Sequence, residues 1–197
     1  MREVEITLRV KESLDECKIK LEKQNFKIIR KSIIDDVYMT QNLSSLNEDN
    51  IDDILKSCVL IRYLNANGKE FKKITYKNKI YNGTNIVSEK KINVDCGDLD
   101  KARELFEALG FEELVRVKYD VIVFSNGEKE FAFQEVENLG LLLEYESTKD
   151  MDDYSDDEVI KEKECMVNEV IKTGLLVDNN LDVKKAYELV QKNMLEK

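Results

Sequence analysis

The 197-residue chain contains no histidine and no proline. Without histidine, Ser-His-Asp and Cys-His catalysis are excluded, and a zinc site loses one of its usual ligands. Acid–base work must then fall to Glu, Asp, Lys, Tyr or water. The missing proline, alongside abundant Lys, Asn, Ile and Glu, reads as compositional drift. Cysteine is sparse: Cys17, Cys58, Cys96 and Cys165 lie far apart and show no paired metal-ligand spacing, which predicts reduced thiols in or near the core. No apolar run is long enough to span a bilayer, and the N-terminus begins with charge where a signal peptide would show its apolar stretch. The expectation is a soluble, cytoplasmic protein. Positive charge is in deficit, with a net charge of −10. That balance argues against non-specific binding to nucleic acid or to an anionic membrane. An anionic substrate would need positive charge concentrated locally.

What is present is an ordinary globular composition, 42% hydrophobic and 37% charged, on a chain long enough to bury a sizeable core. Residues 3–10 alternate strictly, with Val4, Ile6, Leu8 and Val10 on one face and Glu3, Glu5, Thr7 and Arg9 on the other. Period-two alternation of this kind is a strand with one apolar face. An amphipathic helix is expected over 12–24, strands over 26–34 and 36–40, and a short helix from Asn50. Strand patterns follow at 58–64, 71–77 and 85–94, then a helix at 99–109 stopped by Gly110. A second strand group covers 114–124, 130–136 and 141–147, with a hairpin signal at Asn126-Gly127. An acidic loop at 149–157 precedes helices over about 156–172 and 182–196. The two halves look alike, each with a helix ending at Asn25-Phe26 or Gly110-Phe111.

The predicted fold is α+β: a closed or nearly closed eight-stranded antiparallel β-barrel, a tunnel with flanking helices, since closure removes exposed edges. Residues 1–150 would form the tunnel domain and 151–197 C-terminal helices packed on it. Several strands carry one charged face: Arg116, Lys118 and Asp120; Lys73, Thr75 and Lys77; Glu144 and Glu146; and Arg62. For a single strand such a face is commonly solvated. Collectively, helices could cover the apolar faces while the charged faces line the interior. Carboxylates would there meet Mg²⁺ or Mn²⁺, and Lys and Arg would neutralise phosphate oxygens. Lys90-Lys91 reads as a solvated pair.

These residues resemble the CYTH superfamily, the triphosphate tunnel metalloenzymes. Its opening Glu-x-Glu-x-Lys motif is resembled by Glu3-Val4-Glu5-Ile6-Thr7, and its closing motif by Leu139-Gly140 followed by Glu144-Tyr145-Glu146. Its Leu-Arg-Ile-Arg strand is resembled by Val59-Leu60-Ile61-Arg62, its tunnel lysine by Lys77, a carboxylate by Glu89 and its Lys-x-Arg strand by Arg116-Val117-Lys118. The departures are Thr7 for the motif's lysine, Leu60 for its first arginine, and Gln134 near the expected aspartate. Residues 41–57 resemble an insertion.

The resemblance implies a metal-dependent triphosphatase or class IV adenylyl cyclase. Glu3, Glu5, Glu144 and Glu146 would hold Mg or Mn, and Arg9, Arg62, Lys77, Arg116 and Lys118 would bind substrate. Glu5, Arg62 and Lys77 carry the catalytic roles. The implied partner is ATP, thiamine triphosphate or tripolyphosphate, and cyclase-like members imply a homodimer. The alternatives are a phosphate- or nucleotide-binding module without turnover, favoured by Thr7, Leu60 and Gln134, and an oligomeric scaffold with its charges outside.

Overall fold

A computed structural model describes residues 4–83, 85–178 and 180–196. Eight strands form one antiparallel sheet: β1 (Glu5–Arg9), β2 (Lys27–Thr40), β3 (Ser57–Ala66), β4 (Lys69–Asn82), β5 (Asn85–Asp95), β6 (Glu112–Ser125), β7 (Glu130–Val136) and β8 (Gly140–Glu146). The helices are α1 (Leu14–Glu22), α2 (Ile51–Lys56), α3 (Leu99–Ala108), α4 (Asp156–Lys172) and α5 (Lys185–Leu195). Spatial order across the sheet is β1-β8-β7-β6-β2-β3-β4-β5. The two expected strands over 26–40 are one continuous strand, β2, bent by irregularities at Ile28/Arg30 and Tyr38/Met39.

Local chemistry accounts for the helix ends. Ser13 and Glu16 form a capping box on α1, and Ser155 and Glu158 form one on α4. The similar exits of α1 and α3 have one cause. Asn25 and Gly110 take positive φ, and the next amide closes back onto the helix, Phe26 to the Leu21 carbonyl (3.1 Å) and Phe111 to the Phe106 carbonyl (2.9 Å).

The sheet curls into a half-barrel whose ladder does not close, so of the expected closed or nearly closed barrel the eight antiparallel strands and flanking helices are present and full closure is not. The free edge of β1 is taken by the C-terminal segment. The Thr7 N–H donates to the Leu181 carbonyl (3.2 Å), Val183 N–H to the Thr7 carbonyl (2.8 Å), Asp178 N–H to the Arg9 carbonyl (3.0 Å) and Lys11 N–H to the Leu176 carbonyl (2.7 Å). These contacts satisfy edge groups that β5 would otherwise have to reach. At Glu5 a side chain spans the remaining seam, for Lys91 of β5 lies 3.6 Å from the Glu5 carboxylate.

Three apolar clusters set which face is inside. Ile6, Leu8 and Val10 turn outward from β1 and pack with α1 and α4 through Cys17, Leu21, Val159, Met166 and Val170. Val37, Met39 and Ile61 face α3. The third cluster lies on the concave side. There Val183, Ala186, Leu189 and Val190 of the C-terminal segment and α5, with Ile51, Ile54 and Leu55 of α2, join Leu60, Val115, Val117, Tyr119, Val121 and Leu142. Helix α5 therefore fills part of the trough.

Among the described residues no helix is long and apolar enough to cross a membrane. Burial pushes the Cys17 thiol up to about 12 and the Cys58 thiol up to about 11, whereas Cys165 is exposed. At neutral pH an aromatic disulfide reagent should therefore label Cys165 at once and reach Cys17 and Cys58 only on unfolding. Rapid labelling of Cys58 in the native protein would contradict this packing.

Candidate functional site

The part of the trough that α5 leaves open is a cavity of about 550 Å³, to which all eight strands contribute side chains. Its wall carries eight basic side chains, Arg30, Arg62, Lys77, Lys79, Lys91, Lys163, Lys184 and Lys185, against four carboxylates, Glu5, Glu89, Glu144 and Asp182. A chain of net charge −10 thus encloses an excess of positive charge. Inside a low-dielectric wall that excess focuses attraction on an anion.

The carboxylates come from the sheet's first pairing. In register, Glu5 of β1 faces Glu146 of β8, and Thr7 faces Glu144. Cross-strand partners share a face, and of these four Glu5, Thr7 and Glu144 line the cavity. Glu144 accepts hydrogen bonds from Gln134 Nε2 (2.9 Å) and Lys185 Nζ (3.3 Å). Burial alone would raise the Glu144 pKa, but Lys185, Gln134, Lys77 and Lys91 outweigh it and hold it down to about 2. Glu5 moves the other way. Burial and the neighbouring Glu144 charge raise it, against the pull of Lys91 and Lys77. Glu146 sits opposite Glu5 but is exposed and off the cavity wall. Glu3 lies outside the described residues.

Cations approach from the opposite wall. Arg62 makes a fork-on-fork pair with the buried Asp36, Nε to Oδ1 and Nη2 to Oδ2, both 2.6 Å. Burial opposes the guanidinium charge, but Asp36 overcompensates and Arg62 stays protonated. Lys77 is desolvated yet held charged, its pKa raised by Glu89 at 3.4 Å. Lys79 behaves oppositely, lowered by burial and by the charge on Lys77. Glu89 lies between Lys77 and Lys91 (3.3 Å), and its buried Oε2 makes no hydrogen bond among the described residues.

Of the residues predicted from sequence, Glu5, Glu144, Arg62 and Lys77 meet at the cavity. Arg9, Arg116 and Lys118 do not. Arg9 pairs with Glu188 and donates to the Leu139 carbonyl (2.8 Å). Arg116 forks onto Asp35 on the outer face (2.7 and 2.6 Å), and Lys118 shares that face. The reason is the apolar concave cluster. Helix α5 and its neighbours call for Val115, Val117, Tyr119 and Val121 on the inside of β6, and alternation sends its charges out. Lys91, read as solvated, instead pairs with Glu5 and Glu89. Asp182, Lys184 and Lys185 were missed because they lie on a loop and a helix start, where no strand alternation marks a face. The charged cluster Asp182-Val183-Lys184-Lys185 was the available signal.

No group of three or more His, Cys, Asp or Glu among the described residues could by itself hold a metal ion. Glu5 and Glu144 nonetheless fit a hard divalent cation of the Mg²⁺ type, which commonly binds through one or two carboxylates and completes its shell with water and phosphate oxygens. Burial first and the Glu144 charge second raise the Glu5 pKa, and a bound cation would offset both.

No protein-family model matches the chain. A protein of Methanocaldococcus jannaschii carrying the name "Putative adenylate cyclase" is 27% identical over 190 residues, covering 95% of this chain and 97% of that protein. The solved structure of the PH1819 protein from Pyrococcus horikoshii superposes with a TM-score of 0.72 at 24% identity, covering 96% of this chain and 99% of that one. A Hippeastrum structure, described as a "putative adenylyl cyclase" that reveals a dominant triphosphatase activity, superposes with a TM-score of 0.61 at 13% identity, covering 97% and 96%. The chain shares the fold of these solved structures. That agrees with the ordered motifs on β1, β3, β4 and β8.

Two tests follow from the electrostatics. In Glu144→Gln the like charge beside Glu5 is gone, so the Glu5 carboxyl should titrate at lower pH than in the parent. Carbon-detected NMR reads this, and an unchanged Glu5 midpoint would mean that the two do not interact. Asp36→Ala strands the Arg62 guanidinium in a largely buried site and should lower stability by about 3 kcal/mol or more in urea denaturation.

Proposed function

We propose that this protein binds the phosphate chain of a triphosphate in the trough and, with Mg²⁺ or Mn²⁺, processes it. The observation that carries the reading is the enclosed excess of Lys and Arg set against a carboxylate pair, Glu5 and Glu144, within a strongly acidic chain. Support comes from the relative named for adenylate cyclase and from the structural likeness to the Hippeastrum protein described with triphosphatase activity.

In this reading Arg62, oriented by Asp36, and Lys77, kept charged by Glu89, grip phosphate oxygens and fix the chain's direction. Glu5 and Glu144 hold the cation. When bound, the cation neutralises phosphate charge and makes water a better nucleophile. In the hydrolytic form a water oxygen bonds to the terminal phosphorus, the β–γ P–O bond breaks, and phosphate leaves together with the remaining diphosphate compound. In the cyclase form the ribose 3′ oxygen bonds to the α-phosphorus, the α–β P–O bond breaks, and diphosphate leaves.

A binding module without turnover is the second reading. It is favoured by Leu60, fully buried in the concave apolar cluster where the family motif has an arginine, and by the neutral Gln134 beside Glu144.

Tripolyphosphate, ATP and thiamine triphosphate incubated with Mg²⁺ or Mn²⁺ should yield phosphate, or diphosphate with a cyclic nucleotide. The Glu5→Gln/Glu144→Gln double variant should lose about 100-fold or more of that rate. Calorimetric binding with no product would establish the second reading. Absence of both binding and product would refute the phosphate assignment.

A further inference from the structure

Strand β1 has no cation at position 7, where the related motif has a lysine, yet the space next to Thr7 is not without one. Thr7 faces Glu144 across the β1–β8 pair. Both backbone groups of Thr7 hold the C-terminal segment, accepting from Val183 N–H at 2.8 Å and donating to the Leu181 carbonyl at 3.2 Å. That attachment holds residues 181–183 beside β1, and just beyond them the Lys185 ammonium reaches Glu144 (3.3 Å) and Gln134 Oε1, 4.8 Å from the centre of the Tyr119 ring.

We propose that Lys185 is a phosphate-binding residue of the cavity, supplying from the C-terminal segment the cation that β1 lacks at Thr7. The inference rests on the triphosphate reading above and extends it to a residue that no strand motif marks.

Three observations favour this role over that of a surface lysine. The segment carrying Lys185 is pinned. The fully buried Lys163 of α4 binds both Asp182 carboxylate oxygens at 2.8 and 2.9 Å, and Lys184 binds Asp52 at 2.7 Å. Lys185 lines the same cavity as Arg62 and Lys77. Its hydrogen-bonding capacity is only partly used there. An ammonium has three donors, and Gln134 and Glu144 take two. Glu144 balances the Lys185 charge and Gln134 adds only a neutral acceptor, so one donor remains for a phosphate oxygen.

The test is calorimetric titration of tripolyphosphate in EDTA, so that the readout does not depend on turnover or metal. Lys185→Met keeps the aliphatic packing and removes the charge. It should weaken binding roughly 10- to 100-fold, the size of a lost charge-assisted contact. Arg116→Ala, on the outer face, should bind as the parent does. Thr7→Lys placed on Lys185→Met should recover most of the loss, because its ammonium enters the same space from β1. If the parent binds and Lys185→Met binds equally well, this inference is wrong while the phosphate reading stands. If Lys185→Met is weak and Thr7→Lys gives no recovery, the equivalence of the two positions is overturned. If the parent itself does not bind, the triphosphate reading fails and takes the inference with it.

Discussion

Charges drawn into the hollow of a sheet must find counter-charges there, and the arrangement of this molecule follows from that requirement. Desolvating a carboxylate or an ammonium costs several kcal/mol. The trough meets the cost by interleaving the signs. Glu89 stands between Lys77 and Lys91, Lys91 reaches on to Glu5, Glu144 faces Lys185, and Asp36 clasps Arg62. Buried ion pairs of this kind contribute little stability compared with apolar packing of the same volume. Their concentration in one cavity, while three apolar clusters serve the rest of the fold, marks the cavity as the place where the chain gives up packing for chemistry.

The same trough explains why the barrel stays open. Closure would require β1 to pair with β5 along its length. Instead β1 and Lys11, just past its end, bind Leu176, Asp178, Leu181 and Val183 through the backbone, and Lys91 crosses the seam to Glu5 as a side chain. An edge strand left bare is a template for aggregation, so the C-terminal segment protects β1 as it docks. It then delivers Asp182, Lys184 and Lys185 to the cavity wall. The end of the chain and its first strand are thus coupled, although more than 170 positions separate Thr7 from Asp182. The motifs on β1 and β8 supply acid, and the far end of the chain supplies part of the base.

Strand and helix positions were largely legible in the sequence, because the alternation of β1, β3, β4 and β8 and the stops at Asn25-Phe26 and Gly110-Phe111 are local signals. The facing of β6 was not legible. Period-two alternation says that a strand has two faces, but it does not say which one looks inward. On β1 and β8 the apolar residues face α1 and α4 outside, so the charges turn in. On β6 the concave side is occupied by α5, so Val117 and Tyr119 turn in and Arg116 and Lys118 turn out. Only the placement of α5 separates the two cases, and that placement is a tertiary fact. Lys91 escaped for a related reason. A lysine on an edge strand normally points to water, and here the curl of the sheet carries β5 back to within reach of β1.

Leu60 and Lys185 can be understood as parts of one rearrangement. Position 60 lies on the inward face of β3, two residues from Arg62. In the related motif it carries an arginine. Here it is fully buried in the cluster that includes Val183, Ala186, Leu189 and Val190. A guanidinium at that point would be desolvated by α2 and α5 with no carboxylate to meet it, since Asp36 is already committed to Arg62. Bringing α5 into the trough therefore favours an apolar residue at 60. The same docking carries Lys184 and Lys185 to the wall, so the helix that displaces one strand-borne cation imports two of its own. The cavity keeps its positive excess while its cations shift from the strands toward the C-terminal segment. The charge balance of this cavity is thus met jointly by the strands and the C-terminal segment.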